Sequence, residues 1–340
     1  MNFKEFIEMH RQKVYNTICS YVPIKEPRQF YTIARDYIDR QGSYRRPGLV
    51  LLSGLLFGAS LEELTLPAAA EQLSEDWILM QDDCEDDSDL RRGKPAIQKL
   101  YGWVHAMNAS NLGHMAMWRM LFDYAMKYGP EKGKRLYNKF YDMLEYTVEG
   151  QHIENEFIHY TKNLAKADEN LYYRIADSKT CYYTVYGPLQ LGAIVAGQSD
   201  EILEKFKEVG KNAGIAFQIT DDILDMVGDE KKFGKKNFGD LYEGKVTLII
   251  LHTYQNATKE EKEKIDKIYA KERKDKTKEE IDFLREMIEK YDGLGYAKET
   301  AKRYGEEAEK KVKEISKELP ENEYKSILLS AIEELYVREK

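Results

Sequence analysis

Two short clusters of aspartates stand out among the residues that can do chemistry. The first spans 82–86 (DDCED) and the second spans 221–225 (DDILD), so both contain Asp-Asp-x-x-Asp. In a helix, residues four apart lie on one face, which brings the first and last aspartate of each motif together. Carboxylate oxygens are ligands for a hard cation such as Mg²⁺, which is commonly shared with substrate phosphates. Two clusters of this kind are able to hold several Mg²⁺ ions around one diphosphate.

The competing interpretation is that each cluster is a solvated helix end. Acidic runs usually lie at the surface, and for either cluster alone this interpretation carries equal weight. The two clusters share one spacing, and basic residues follow each of them along the chain. Agreement between a motif and its context favours the metal site.

The elements that must position these clusters are helices. Apolar residues recur at helical steps through most of the chain, and we find no run of alternating apolar and polar β-branched residues. The pattern predicts helices over Ala68–Asp87, Leu112–Tyr124, Asn138–Ile158 and Glu201–Val227, and a solvated helix pair over Lys259–Lys290. No shift in composition marks a domain boundary. The sequence therefore predicts one all-α domain over residues 1–340.

Composition excludes several classes of protein. The chain has 340 residues, 52 Lys and Arg, 60 Asp and Glu, and a formal net charge of −8, which argues against a nucleic-acid binder. The longest apolar stretch, Gly48–Ala59, is well short of the roughly 20 residues that cross a bilayer, so we expect no integral membrane protein. Three scattered cysteines and a start without a signal-peptide pattern predict a cytoplasmic location.

An ordered set of short motifs, from about Gly42 to Leu251, resembles the trans-isoprenyl diphosphate synthases, the polyprenyl synthetases. Besides the two aspartate motifs, the set consists of Arg91-Arg92-Gly93, Gly150-Gln151, Lys179-Thr180, Phe217-Gln218, Gly234-Lys235 and the stretch 239–247 (GDLYEGKVT). Each piece is weak by itself, and the order of the whole set carries the resemblance.

The resemblance implies a fold and an activity. The expected fold is a bundle of long, mostly antiparallel helices around a deep central cavity, usually in a homodimer. The implied enzyme is a prenyltransferase that uses three Mg²⁺ ions per active site. It condenses an allylic diphosphate with isopentenyl diphosphate to a trans-prenyl diphosphate. Because the allylic diphosphate ionises to a carbocation, such a site must stabilise the leaving pyrophosphate and exclude water.

The resemblance also implies roles for individual residues. The metal ligands would come from the two motifs: Asp82, Asp83, Asp86, Asp221, Asp222 and Asp225. The allylic diphosphate would contact Arg91, Lys179, Lys235 and Lys245. Thr180 and Gln218 would line the reacting centre beside Lys179. Arg46 and Arg92 would hold the diphosphate of the second substrate, and Phe217 would lie against its hydrocarbon end.

Two positions depart from the pattern of the family. A lysine that normally contacts isopentenyl diphosphate falls on Ser43, and a His or other polar residue falls on Glu75. A carboxylate beside a diphosphate is unfavourable unless it is protonated or bridged. One explanation is that Arg45 compensates for Ser43 and that the local alignment shifts Glu75 away. The other is a non-standard acceptor, or none, as in a terpene synthase-like lyase or cyclase.

Three further classes stay open as alternatives. The first is an inactive regulatory subunit, which is disfavoured because both aspartate motifs are intact. The second is a purely structural bundle. The third is a squalene-synthase-like condensation, which the context of Arg91 and Lys235 disfavours.

Product length is predicted from the turn before Asp82. In the family, the side chains at the positions of Trp77 and Ile78 form the floor below the allylic tail. A bulky tryptophan there leaves no room for a long chain, which predicts a product of about C15–C20. The alternative is that Trp77 is an ordinary core residue.

Overall fold

The computed structural model describes residues 1–227 and 238–336. Within them the helices of the first half are α1 Phe3–Tyr21, α2 Arg28–Arg40, α3 Arg45–Leu56, α4 Leu61–Glu85, α5 Ile97–Tyr101, α6 Trp103–Tyr128 and α7 Pro130–Asn155. Those of the second half are α8 Glu169–Ala176, α9 Gly187–Val195, α10 Asp200–Val227, α11 Gly239–Glu243, α12 Leu248–Asn256, α13 Lys259–Tyr269, α14 Lys278–Lys290, α15 Gly293–Ser316 and α16 Glu323–Tyr336.

Short irregular elements interrupt the helices. A two-residue hairpin pairs β1 Leu90–Arg91 with β2 Lys94–Pro95 in antiparallel register. Two π-helical segments, Glu156–Thr161 and Asp177–Tyr186, follow α7 and α8, and single 3₁₀ turns lie at Leu164–Lys166 and Arg273–Asp275. The periodicity of the sequence did not predict the hairpin or the π-helices.

The fold divides into two compact units. The first consists of Met1–Met143, Thr184–Glu208 and Val312–Ile332. Its centre is the pair of α4 and α6, with α3 packed on α4 and α9. The apolar helix α3 fits because its glycines are small: a Cβ at Gly54 would lie 2.1 Å from Leu64 Cδ2. The stretch around Gly48 is therefore a tightly packed buried helix.

The described residues of the second unit are 144–183, 209–227, 238–311 and 333–336. In this unit α12 contacts both α8 and α14. Capping boxes begin α13 at Thr258 and α14 at Thr277, where each threonine and a glutamate three residues later satisfy the free backbone N–H groups. These caps separate the charge-rich stretch 259–290 into the predicted helix pair.

The predicted all-α class is confirmed, and the helices expected around both aspartate motifs lie in α4 and α10. No helix of the described residues is long and apolar enough to cross a membrane. The cysteines Cys19, Cys84 and Cys181 are free thiols. Lys235, a predicted diphosphate contact, lies outside the described residues. The single domain over 1–340 stays a prediction.

Candidate functional site

The first aspartate motif closes helix α4. Ser60 caps the start of this helix by accepting a hydrogen bond from the Glu63 backbone N–H (3.2 Å). Most of its residues are buried on all sides, as in a helix at the centre of a core. The helix ends at Glu85, so the carboxylates of Asp82 and Asp86 lie half-buried at its last turn.

The hairpin after α4 positions two arginines. Its turn residues, Arg92 and Gly93, both have positive φ (52° and 73°), as a two-residue hairpin turn with the sheet's natural twist requires. Arg91 lies on β1 and points its guanidinium at Asp83, with Nη2 2.5 Å from Oδ1 and Nε 2.8 Å from Oδ2. Arg91 Nη2 also lies 3.3 Å from Asp82 Oδ2.

Asp83 is fully buried, and its oxygens are occupied by protein donors. The Tyr37 hydroxyl donates a hydrogen bond to Oδ2 (2.5 Å), in addition to the two from Arg91. The same hydroxyl accepts from the Ile97 backbone N–H (3.0 Å). Asp83 therefore fixes the hairpin and the end of α2 against the motif. Sequence analysis missed Tyr37, because a tyrosine at an apolar helix position gives no signal of its partner.

The residues predicted for the second substrate converge in the first unit. Arg46, at the start of α3, donates to Thr184 Oγ1 (2.9 Å), and its Nη1 lies 3.1 Å from Glu75 Oε2. Arg92 Nη2 lies 3.4 Å from Glu75 Oε1 and 2.9 Å from Asp76 Oδ1. Glu75 therefore lies beside both arginines. The explanation that the local alignment shifts Glu75 away from the second-substrate site is wrong. Ser43 is exposed.

Trp77 packs in the core of the first unit, one turn before Asp82. Its ring lies 4.8 Å from the His114 ring, and a Cβ at Gly113 would lie 3.0 Å from Trp77 Cβ. His114 in turn accepts a hydrogen bond from Trp118 Nε1 (2.8 Å). The tryptophan is 6% exposed and the neighbouring Ile78 is half-buried.

The second motif lies at the C-terminal end of α10 and lines a cavity of about 310 Å³ in the second unit. The cavity brings together residues that the sequence analysis had selected from distant stretches: Lys179, Thr180, Gln218, Asp221, Asp222, Asp225 and Lys245. Phe217 precedes them on the same helix and is half-buried. The cavity adds Glu154 and Tyr172, and it also contains Asp240, which belongs to the 239–247 motif but had no role assigned to it.

A π-helix carries Lys179 and Thr180 into this cavity. π-Helical segments are rare in proteins, and those that do occur are often found at functional sites. Close packing holds this one in place, since a Cβ at Gly150 would lie 2.0 Å from Ser178 Oγ and one at Gly214 would lie 2.6 Å from Cys181 Cα. Both positions need glycine because a side chain there would clash with the π-helix, which gives Gly150 of the Gly150-Gln151 motif a structural reason.

Hydrogen bonds link the reacting-centre candidates in one chain. Thr180 Oγ1 donates to Gln218 Oε1 (2.5 Å), and Gln218 Nε2 donates to Asp222 Oδ1 (2.8 Å). The Tyr172 hydroxyl donates to the other oxygen of Asp222 (2.8 Å). Lys179 forms an ion pair with Glu154. The donors that hold Asp222 are therefore neutral, in contrast to the arginine on Asp83.

Negative charge accumulates in the cavity. Burial raises the pKa of Asp222, and burial together with nearby carboxylates raises the pKa of Asp240 well above its usual range although Lys245 opposes the shift. Lys245 lies 2.6 Å from Glu243 Oε2 and 3.8 Å from Asp240 Oδ1. Asp225 accepts from the backbone N–H groups of Gly239 and Asp240 (both 3.2 Å). Such a cavity favours a ligand that brings positive charge.

The donor set fits Mg²⁺. Across residues 1–227 and 238–336, no three His, Cys, Asp or Glu side chains form a ready-made metal cage. Mg²⁺ commonly takes one or two carboxylates and completes its coordination with water and phosphate oxygens, so it needs no such cage. The exposed Asp221 and the half-buried Asp82, Asp86 and Asp225 are oxygen donors of this kind.

Comparison with known proteins gives the family. The polyprenyl synthetase family model matches residues 27–288, which include both aspartate motifs and every site residue named above. The chain belongs to this family.

Two similar members of the family come from archaea. The geranylgeranyl diphosphate synthase of Methanosarcina mazei is 30% identical over 322 residues, which is 94% of this chain and 92% of that protein. The geranylfarnesyl diphosphate synthase of Aeropyrum pernix is 32% identical over 272 residues, or 78% of this chain and 81% of that protein. The names of these two proteins refer to products of different chain length.

A solved structure confirms the fold. The crystal structure of geranylgeranyl pyrophosphate synthetase from Pyrococcus horikoshii is 29% identical and aligns with a TM-score of 0.82 over 99% of this chain and 98% of that one. The chain therefore has the isoprenoid synthase fold, the helical bundle that the resemblance implied.

Proposed function

We propose that the chain is a Mg²⁺-dependent prenyltransferase that condenses an allylic diphosphate with isopentenyl diphosphate to a short-chain trans-prenyl diphosphate. The observation that carries the proposal is the cavity at the second motif, where carboxylates, two lysines and the Thr180–Gln218 pair surround one space. Family membership and the names of its relatives support the same reaction.

In this proposal both aspartate clusters take part in binding the allylic diphosphate through Mg²⁺. The ligands are Asp82, Asp86 and Asp221, with Asp83, Asp222 and Asp225 beside them. Bound Mg²⁺ stabilises the negative charge that develops on the departing pyrophosphate. We propose three ions per active site, as the resemblance implies.

The cationic residues bind the same leaving group directly. Lys179 and Lys245 line the cavity, and each is held near a carboxylate, Glu154 and Glu243 respectively. A diphosphate in the cavity competes with those carboxylates for the ammonium groups. Arg91 and Lys235 complete the proposed contacts. Because lysine and arginine are positively charged, these residues stabilise the negative charge that develops on the leaving group.

The carbocation left behind must be protected from water and positioned for attack. The Thr180 hydroxyl and Gln218 amide form a linked pair beside Lys179, which orients them toward the reacting centre in this proposal. Arg46 and Arg92 hold the second substrate's diphosphate, and Phe217 lies against its hydrocarbon end. No protein nucleophile takes part.

The finer features are proposed on the same basis. Trp77, packed on His114, forms with Ile78 the floor that limits the product to about C15–C20. A homodimer is supported by exposed apolar side chains at helical spacing on α6, Met115, Phe122 and Met126, which are 55–72% exposed. We also propose a cytoplasmic location.

The direct test is an incubation of the purified chain with Mg²⁺ and geranyl or farnesyl diphosphate, with and without isopentenyl diphosphate. We expect longer prenyl diphosphates only when isopentenyl diphosphate is present. Cyclic or linear hydrocarbons formed without it would replace this proposal with a lyase. Turnover by the purified chain alone would also exclude an inactive regulatory subunit.

A further inference from the structure

A group of buried acids on α4 has no part in the chemistry described so far. We use the name acid cluster for Glu71, Glu75 and Asp76, which are 0%, 7% and 1% exposed. Burying an ionised carboxylate is costly unless it is paired with a cation or protonated. Three such groups within six residues of one helix therefore need an explanation.

Two arginines face the acid cluster, one from α3 and one from the hairpin turn. Glu75 spans both, with Arg46 Nη1 3.1 Å from one of its oxygens and Arg92 Nη2 3.4 Å from the other. Asp76 Oδ1 lies 2.9 Å from the same Nη2 atom of Arg92. The two guanidinium groups that are proposed to bind the second substrate's diphosphate therefore form ion pairs with carboxylates of the protein.

The acid cluster has more acceptors than donors. Neither carboxylate oxygen of Glu71 accepts a hydrogen bond from the described residues. Arg46 and Arg92 face the cluster with positive charge. The Gln72 amide donates a hydrogen bond to Asp76 Oδ1 (3.3 Å). The hydroxyl of the buried Tyr44 is close enough to Asp76 for the charge of the carboxylate to raise the tyrosine pKa. Burial raises the pKa of Glu71 to about 8 and that of Asp76 to about 7. Near neutral pH the cluster therefore holds protons and is able to take up more.

We propose that the acid cluster is a built-in counter-anion of the second-substrate site: Glu75 occupies Arg46 and Arg92 until a diphosphate displaces it, and this competition sets the affinity for isopentenyl diphosphate. The proposal rests on the function proposed above. It makes Glu75 a specificity-determining residue, because a weakly charged ligand cannot displace it from two guanidinium groups.

Displacement has a proton balance. A bound diphosphate adds negative charge beside Asp76 and Glu71, and this charge raises their proton affinity, so that binding draws protons from solution. Binding of isopentenyl diphosphate is therefore tighter at pH 6.5 than at pH 8.5. The allylic diphosphate has the same head group, so the titration of that group cancels in the ratio of the two KM values. Any pH dependence that comes from Asp222 and Asp240 of the allylic cavity is the same in wild type and in a variant of the acid cluster, so that comparing the two removes it.

The first experiment measures binding of isopentenyl diphosphate to the full chain by calorimetry in EDTA, which removes the metal-dependent allylic site. We expect Glu75→Gln to bind isopentenyl diphosphate about tenfold more tightly than wild type. The neutral glutamine competes less strongly than the glutamate for the two arginines, and a tenfold change in Kd corresponds to about 1.4 kcal/mol. Glu63→Gln is the matched control, since Glu63 lies on the same helix and pairs with Lys132 away from the cluster. Its affinity stays at the wild-type value.

Equal or weaker binding by a folded Glu75→Gln variant overturns the proposal, as does the absence of binding by both proteins. If that variant does not fold, wild type decides. Calorimetry in two buffers of different ionisation enthalpy must show proton uptake when isopentenyl diphosphate binds at pH 7.5, and no uptake overturns the proposal.

Steady-state kinetics separate this inference from the proposed function. In wild type, the KM for isopentenyl diphosphate divided by the allylic KM must rise between pH 6.5 and 8.5, and Glu71→Gln must flatten part of that rise, since it removes one of the two groups that take up protons. A chain that elongates allylic diphosphates with a pH-independent ratio keeps its function and loses the counter-anion. A chain that shows the calorimetric effects without elongation loses the proposed function alone.

Discussion

The two aspartate motifs have the same spacing but opposite charge environments. In the first, Asp83 is buried beneath Arg91 and Tyr37, and Asp82 shares that arginine. In the second, Asp222 is held by the neutral groups of Gln218 and Tyr172. The first region is therefore preassembled by its own ion pairs, whereas the second has an excess of negative charge around an open cavity.

This difference predicts that the first region contributes mainly to stability and the second mainly to ligand binding. Removing one partner of a buried ion pair leaves an uncompensated charge, so the first region should lose stability when Asp83 changes. Removing a carboxylate from a cavity that is already too negative relieves repulsion, so the second region should lose ligand affinity instead. Substitutions at matched positions can therefore break or sharpen the comparison.

The largest effect is expected at the exposed carboxylate of the second motif. Asp221→Asn should lower kcat by about a thousandfold, since in the proposed mechanism it removes a metal ligand that acts on transition-state charge. Its thermal unfolding should match wild type. The control is Glu204→Gln, an exposed residue of the same helix that pairs with Lys207. A kcat within tenfold of wild type would refute the metal role of Asp221.

The next effect is on stability and concerns the middle residues of the two motifs. Asp83→Asn should lower the free energy of unfolding by about 3–5 kcal/mol, because Arg91 is left without its main buried partner. Asp222→Asn should cost much less, because the groups that donate hydrogen bonds to Asp222 are neutral. Urea unfolding of both variants, with the exposed Asp87→Asn as control, measures the difference. Equal losses at Asp83 and Asp222 would contradict the comparison.

The next effect depends on pH and arises at Glu71. Its folded-state pKa, raised by burial to about 8, exceeds the ordinary value of 4.5, so its contribution to stability is full below pH 4.5 and declines as pH rises toward 8. Glu71→Gln removes this titration. Relative to wild type, the variant should gain about 4 kcal/mol in unfolding free energy between pH 4.5 and 8. A pH-independent difference would show that Glu71 is ionised in the folded chain.

The smallest expected change is in product length and belongs to the first region alone. Trp77→Ala should extend the main product by about one isoprene unit, because it removes the side chain that is proposed to close the floor. Chromatography of dephosphorylated products measures this change. Trp103→Ala, at a tryptophan that is 58% exposed, is the control. An unchanged product after Trp77→Ala would make this residue an ordinary part of the core.

Much of the fold was predictable from local pattern. The stretch 201–227 has apolar residues at helical steps, and it forms α10 almost to the residue. The threonine and glutamate pairs that begin α13 and α14 are local signals in the same way. Family motifs selected Lys179, Thr180 and Gln218 from separate stretches, and the structure places them in one cavity.

The parts that escaped prediction depend on tertiary contacts. Tyr37 and Tyr172 look like core residues in sequence, and their hydroxyl partners lie 46 and 50 residues away along the chain. The π-helix around Lys179 is held by close approach of Gly150 and Gly214, which no helical periodicity reveals. Glu75 was recognised as a departure from the family, but its two arginine partners emerged only from the fold.

The central claim is that both motifs bind one diphosphate through divalent metal ions. A crystal structure with Mn²⁺ in place of Mg²⁺ and a non-ionisable thiolo analogue of the allylic diphosphate tests it most directly, since anomalous scattering locates each ion. We predict ions ligated by Asp82, Asp86 and Asp221 that share oxygens of a single diphosphate. Ions that bind the two motifs with no diphosphate in common would contradict the account.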